Sequence, residues 1–203
     1  MNWVRFEGRK VYPSKVICVG RNYHRHIKEL NNKNPEEIVL FIKPNSSVTT
    51  QLIKPDKRCR YEGEISFLLK DGNICGVGFG IDLTLIDEQN RLKSKGLPWE
   101  KAKAFDNSAV FSDFTQITVE DVPNLKMELY INGELIQKGS VKEMIYSPEE
   151  ILQEVKNYFS IYDYDILMCG TPEGVGQFEK GDIFTGRIIL HNRILIEKRW
   201  TAE

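Results

Sequence analysis

The sequence contains no CxxC pair, only three histidines, and no apolar run near the ~20 residues that a bilayer-spanning helix needs. Its four cysteines, Cys18, Cys59, Cys75 and Cys169, are widely spaced. Three lie beside apolar residues, as in "VICVG" and "ILMCG", and read as reduced core residues rather than as a thiolate metal or redox centre. Neither sign of charge dominates. Lys and Arg number 28 against 29 Asp and Glu, a net charge of -1, so there is no basic stripe for nucleic acid. "MNWVRFEGRKVY" lacks the apolar segment of a signal peptide, and the expectation is a cytoplasmic protein with no membrane partner. Nucleotide phosphates are excluded on motif grounds: "GTPEGVG" is not GxxxxGK[ST], and "GFG" is not GxGxxG. No repeat, low-complexity tract or linker divides the 203 residues, which predicts a single domain over 1–203.

What is present reads mostly as strand. "KVICVG" (15–20) and "EIVLFIKP", stopped by Pro44, are β-rich runs. "DGN" (71–73) is a turn between two strands, and "LKMELYINGELIQ" is a hairpin in which Met127, Leu129 and Ile131 alternate and Leu135 resumes the pattern. Three segments read as helices. "RNYHRHIKELNNK" is short and polar, with Asn22 as its cap; "LIDEQNRLKSKG" is closed by Gly96; and "SPEEILQEVKNYFSIY" has Ser147 as cap and Pro148 in its first turn. "LPWEKAKAFDNSAVFSDF" reads as mostly loop. The pattern gives a β-rich α+β protein without the repeating strand–helix units of a doubly wound sheet.

The chemistry centres on "YEGEISF". On a strand, Glu62 and Glu64 share one face. Two carboxylates directed into one space repel unless a cation lies between them, and a hard divalent ion such as Mg²⁺ or Mn²⁺ suits oxygen ligands. The alternative is that Gly63 and Ile65 face the core and both glutamates face water. Asp82, ending a Gly-rich strand, could complete a triad or cap the next helix. His26 and Glu29, three apart on a helix, can touch, either as a general base with its orienting partner or as a solvated ion pair. His24 and His191 read as surface residues. "GTPEGVG" could cradle a carboxylate or oxyanion with its N–H groups, or be a structural turn. Lys103 could stabilise an oxyanion, or be solvated.

Taken together, "GRNYHRHIKEL", "FIKP", "YEGEISF", "GIDLTLIDEQ", "KGLPWEKAKAFD", "LYINGELIQKG" and "CGTPEGVG" resemble the fumarylacetoacetate hydrolase family, in particular its short acylpyruvase-like members. The resemblance covers nearly the whole chain. It implies a rolled mixed β-sheet with a few peripheral helices, a homodimer, and Mg²⁺ or Mn²⁺ held by Glu62, Glu64 and Asp82. It also implies a His26–Glu29 dyad on a lid near 22–33, catalytic Lys103 and Gln89, and substrate contacts from Arg21, Tyr23, Gly170 and Thr171. Two departures bear on the substrate: Ile86 stands where relatives often carry Arg, and Arg60-Tyr61 where they often carry His. Arg60 could replace the missing charge in space.

The expected substrate is a small 2-oxo acid. The leading expectation is hydrolysis of a carbon–carbon bond in a 2,4-dioxo acid, with His26 activating water. The same site would also suit an oxaloacetate decarboxylase or a 2-oxo acid keto–enol tautomerase, and a non-enzymatic small-molecule-binding module is a further alternative.

Overall fold

The long hairpin formed by Gly63–Lys70 and Asn73–Asp82 lies mid-sheet and supplies two of the three carboxylates singled out above. Its connection, Asp71-Gly72, has φ of 50° and 70°, the left-handed pair of a type I′ turn whose twist suits the flanking strands. The computed structural model of the chain describes residues 1–30 and 35–203.

The strand order in the main sheet is Val39–Pro44, Lys15–Gly20, Ile166–Met168, Gly63–Lys70, Asn73–Asp82, Ala109–Phe111 and Val48–Thr49, with Thr115–Gln116 also paired to Asn73–Asp82. Ile166–Met168 runs parallel to Lys15–Gly20, and Ala109–Phe111 parallel to Val48–Thr49; the other ladders are antiparallel, so the sheet is mixed. A second, antiparallel sheet is ordered Glu134–Ser140, Leu125–Ile131, Ile183–Leu190, Arg193–Thr201. This is the β-rich rolled architecture expected from the sequence. Four α-helices lie around it among the described residues: α1 (His24–Glu29), α2 (Ile86–Ser94), α3 (Glu100–Lys103) and α4 (Pro148–Tyr158). None is long and apolar enough to cross a membrane.

Alternation along Asn73–Asp82 puts Val77, Phe79 and Ile81 on one face and Gly76, Gly78 and Gly80 on the other. The glycine face is where aromatic rings come closest. A Cβ on Gly76 would meet the Phe6 ring at 2.9 Å, and one on Gly78 the Phe114 ring at 2.9 Å. At Gly80 a Cβ would overlap Ser66 Oγ and lie 3.1 Å from Phe111. Phe6, Phe111 and Phe114 thus form a layer that only a bare strand surface admits. On the opposite face Phe79 packs against Trp200 and over Gly186 of the second sheet. The hairpin strand that ends in Asp82 is therefore packed on both sides.

Several local expectations hold. Ser147 and Glu150 form a reciprocal capping box at α4. Gly96, at φ 62°, terminates α2, with the Leu97 N–H returning to the Leu92 carbonyl. Others do not hold. Asn22 does not cap α1, whose N-cap is Tyr23. Its buried amide instead donates to the Tyr146 and Cys169 carbonyls and accepts from the Tyr146 N–H, which satisfies three backbone groups across the chain. The 97–114 stretch is mostly loop, as expected, but α3 and the short strand Ala109–Phe111 interrupt it. In the Leu125–Ile131/Glu134–Ser140 hairpin the Asn132-Gly133 turn forms as expected, but a bulge shifts the register after Leu129. Leu135 is left exposed, and Gln137 takes the inward place opposite Leu129. The lid expected near 22–33 is described only as far as Leu30; 31–33 lie outside the described residues.

Gly78→Ala should destabilise the fold by about 1–3 kcal/mol, because the added methyl enters the Phe114 ring of a filled layer. The check is urea unfolding of both proteins; an unchanged midpoint would contradict this packing.

Candidate active site

Glu62, Glu64 and Asp82 are all buried, and one oxygen from each lies within 4.8 Å of the others. The spacing of "YEGEISF" is thus realised with the glutamates inward, and the solvated alternative is excluded. Asp82 does not cap α2, whose N-cap is Leu85.

The cations around the triad explain how three carboxylates tolerate burial. Lys103, at the end of α3, donates to Glu62 Oε2 (2.9 Å), Asp82 Oδ2 (2.6 Å) and Thr84 Oγ1 (2.6 Å). An ammonium has three N–H bonds, and all three go to protein oxygens. The Lys103 expected to be free for an oxyanion is therefore a clamp on the carboxylates. Lys43, fully buried, lies 2.8 Å from Asp82 Oδ1. It also donates to the Lys103 and Ser108 carbonyls and to Ser108 Oγ, which seats the backbone of α3. Arg60 donates Nε (2.9 Å) and an Nη (2.8 Å) to Glu62 Oε1, and the same Nη reaches Gln89 Oε1 at 3.0 Å. Arg60 thus does bring charge to this side of the site, as the departure at Ile86 suggested.

Glu64 has a different environment. Its one hydrogen bond among the described residues comes from the Gly170 N–H to Oε2, at 2.7 Å. Burial, followed by the charges of Asp82 and Glu62, pushes its carboxyl well above the usual range, against the pull of the Gly170 N–H. Burial would also raise Glu62, but Lys103 and then Arg60 hold it well below that range. Burial would lower the Lys103 ammonium, yet Asp82 and Glu62 raise it above its ordinary value. Asp82 Oδ1, though near Lys43, accepts no directed hydrogen bond. A buried carboxylate without its own cation, beside an oxygen with unused capacity, fits a hard divalent ion and its oxygen-ligand preference.

The triad opens into a cleft that Arg21, His26, Arg60, Gln89, Lys93, Trp99, Lys103 and Thr171 also line. His26 Nδ1 faces Glu29 Oε2 at 3.3 Å, which leaves Nε2 for the cleft. Burial lowers the His26 pKa, against the opposing charges of Glu62 and Glu29, so the ring is a neutral base near pH 7. Gln89 accepts from Arg60 through its oxygen and has its amide NH₂ left for a ligand. The "GTPEGVG" loop does cradle carboxylates, but the protein's own: Gly170 N–H binds Glu64, and Gly174 N–H binds Glu29 Oε1 at 2.9 Å. Thr171 lines the cleft, although its hydroxyl already donates to the Gly63 carbonyl and accepts from Gln137. Tyr23 is not at the cleft. Its ring packs beside Gly139 and its hydroxyl donates to the Ser140 carbonyl, so the expected substrate contact is corrected to a structural one.

Sequence reasoning missed Lys43, Gln137, Lys93 and Trp99. Lys43 did leave a signal, a lysine interrupting the apolar run "IVLFIKP". Gln137 left none, because the bulge that buries it is invisible in a hairpin pattern.

The family model for the fumarylacetoacetate (FAA) hydrolase C-terminal region matches residues 15–195. The oxaloacetate tautomerase YcgM of Escherichia coli K12 is 38% identical over 193 residues, covering 86% of this chain and 88% of its own. A solved structure from Oleispira antarctica, described as a candidate fumarylacetoacetate isomerase/hydrolase, superposes with TM-score 0.94 at 32% identity, covering 100% of both chains. The fumarylpyruvate hydrolase of Pseudomonas aeruginosa, solved with Mn²⁺ and pyruvate, superposes with TM-score 0.85 at 27% identity, covering 99% of this chain and 96% of that one. These comparisons overturn the leading expectation of carbon–carbon hydrolysis. The hydrolase is the more distant likeness, whereas the curated relative at 38% identity is a tautomerase. With its whole site drawn from matched residues, the chain belongs to the fumarylacetoacetate hydrolase family, whose members are enzymes.

Proposed function

We propose that this protein is a divalent-metal-dependent keto–enol tautomerase of oxaloacetate or a closely similar 2-oxo acid. The observation that carries the reading is the likeness to an oxaloacetate tautomerase over most of both chains. The site fits it: His26, a base oriented by Glu29, faces the same cleft as the carboxylate triad. Tautomerisation needs one proton carrier beside a polarised carbonyl.

Glu62, Glu64 and Asp82 would hold the ion, with Mg²⁺ and Mn²⁺ the candidates that suit an all-oxygen donor set. When bound, the cation supplies Lewis-acid polarisation of the 2-oxo oxygen. Three carboxylates face three cations, Lys43, Lys103 and Arg60, so a divalent ion leaves the cluster positive and favours an anionic substrate. His26 Nε2 then takes a proton from C3. The C–H electron pair forms the C2=C3 bond, and the negative charge moves to the 2-oxygen. Return of the same proton to that oxygen gives the enol and regenerates neutral His26; the reverse sequence gives the keto acid. Glu29 holds the ring and stabilises its protonated form. Gln89 can donate to the developing oxyanion, while Lys103 acts through the carboxylates that it positions.

His26→Ala should lower kcat for enol-to-keto conversion by about 10²–10⁴-fold. Its Mn²⁺ affinity should match that of the wild type. Stopped-flow loss of enol absorbance, with Mn²⁺ binding measured in parallel, provides the check; an unchanged kcat would remove His26 from the mechanism. The wild-type rate should hold below pH 6.5, the ordinary His value, and fall only as the pH drops through the lowered His26 pKa. A rate already halved at or above that value would contradict a buried neutral base. Glu64→Gln should weaken Mn²⁺ binding by at least about 100-fold, the upper end for residues one step removed from a metal. Equal affinity by calorimetry would discard the ligand assignment.

A further inference from the structure

Two cations in the cleft play no part in the triad or in the proton transfer. Arg21 and Lys93 both line it, and among the described residues neither makes an ion pair with a carboxylate. Arg21 follows directly on the Lys15–Gly20 strand with φ 61°, a left-handed backbone uncommon for an arginine. That conformation is fixed from behind, since the next residue, Asn22, is tied to Cys169 and Tyr146. The Arg21 Nε is buried and has no hydrogen-bond partner, a costly state that a ligand oxygen would relieve. Lys93 stands one turn beyond Gln89 on the same face of α2, with its ammonium 5.3 Å from the Trp99 ring centre. Burial, and then repulsion from Arg21, Arg60 and Lys103, lowers Lys93 to about 8. Such a pair of uncompensated cations, one with a buried vacant donor, is arranged for an anionic group.

We propose that Arg21 and Lys93 bind the distal carboxylate of a 2-oxo dicarboxylate, and that this contact steers the enzyme to tautomerisation rather than decarboxylation. The inference rests on the tautomerase reading for its second half only. In decarboxylation the C3–C4 bond breaks, its electron pair becomes the C2=C3 bond with charge on the 2-oxygen, and C4 leaves as CO₂. The resulting pyruvate enolate then takes a proton at C3. The C4 carboxylate loses its negative charge in that step. Cations bound to it therefore stabilise the starting dianion more than the transition state, and the barrier rises. Removal of a C3 proton leaves the C4 charge in place and carries no such penalty.

The test measures binding of 3,3-difluoro-oxaloacetate, which has no C3 proton to lose, and of pyruvate, which has no distal carboxylate. Both are titrated calorimetrically into the Mg²⁺-loaded wild type, Arg21→Gln, Lys93→Gln and Lys93→Arg. The dicarboxylate should bind about tenfold or more weakly to each Gln variant, in line with loss of a charged hydrogen bond. Pyruvate should bind all four proteins alike, and Lys93→Arg should retain wild-type affinity for both ligands. On oxaloacetate, the Gln variants should release more pyruvate per tautomerisation event. Equal losses for both ligands, or none for either, would overturn the subsite. Selective loss in a protein whose wild type does not accelerate tautomerisation would support the subsite and remove the tautomerase reading. Selective loss with an unchanged pyruvate yield would overturn the steering role.

Discussion

The Lys103 ammonium, held between Glu62, Asp82 and Thr84, is the contact on which the rest of the site depends. Carboxylates leave water at a cost of several kcal/mol each, and burial is repaid only with good geometry and fully used donors. Lys103 meets that demand with all three N–H bonds. Lys43 extends the arrangement by holding both Asp82 and the backbone carbonyl of Lys103 itself. The fold serves this network directly. The central hairpin delivers Glu64 and Asp82 from adjacent strands, and the last residue of α3, Lys103, reaches Asp82 and Glu62. Glu64 stands outside the ion-pair network, and that asymmetry is what makes the cluster a site for a cation rather than a sealed knot of ion pairs.

The cleft separates tasks by charge. On one side are the carboxylates with their balancing cations. Across from them is His26, kept neutral by burial and oriented by Glu29, which is itself fixed by the Gly174 N–H of the "GTPEGVG" loop. One loop thus supports both halves, since its Gly170 N–H holds Glu64. The exposed Arg25–Glu173 pair adds a second tie between α1 and that loop. Positioning of base and polarising centre relative to each other is therefore built into the backbone of a single turn.

Much of this was legible in the sequence. The period-2 spacing of Glu62 and Glu64, the turn signals at 71–73 and 132–133, and the Ser147 cap depend on local geometry, and all appear in the structure. What was not legible depends on contacts between distant segments. Asn22 looks like a cap because only its neighbours in sequence are visible, whereas its partners lie more than 120 residues away. Tyr23 sits in the right motif but turns toward Ser140. Lys103 stands out in the sequence but its role does not, because its three acceptors, Glu62, Asp82 and Thr84, lie 41, 21 and 19 residues away in the chain. Gln137 is buried by a register shift that no alternation rule encodes. The chemistry was the least legible of all: one metal-ligand set and one base suit hydrolysis, decarboxylation or tautomerisation, and the residues alone do not rank them.

The most direct measurement follows oxaloacetate by proton NMR in D₂O with the Mg²⁺-loaded protein. A proton carrier at C3 that leaves the carbon skeleton intact should speed loss of the C3 proton signal well beyond a control with Mg²⁺ alone, while pyruvate appears no faster than in that control. Pyruvate formed in step with C3 exchange, or C3 exchange no faster than the control, would contradict it.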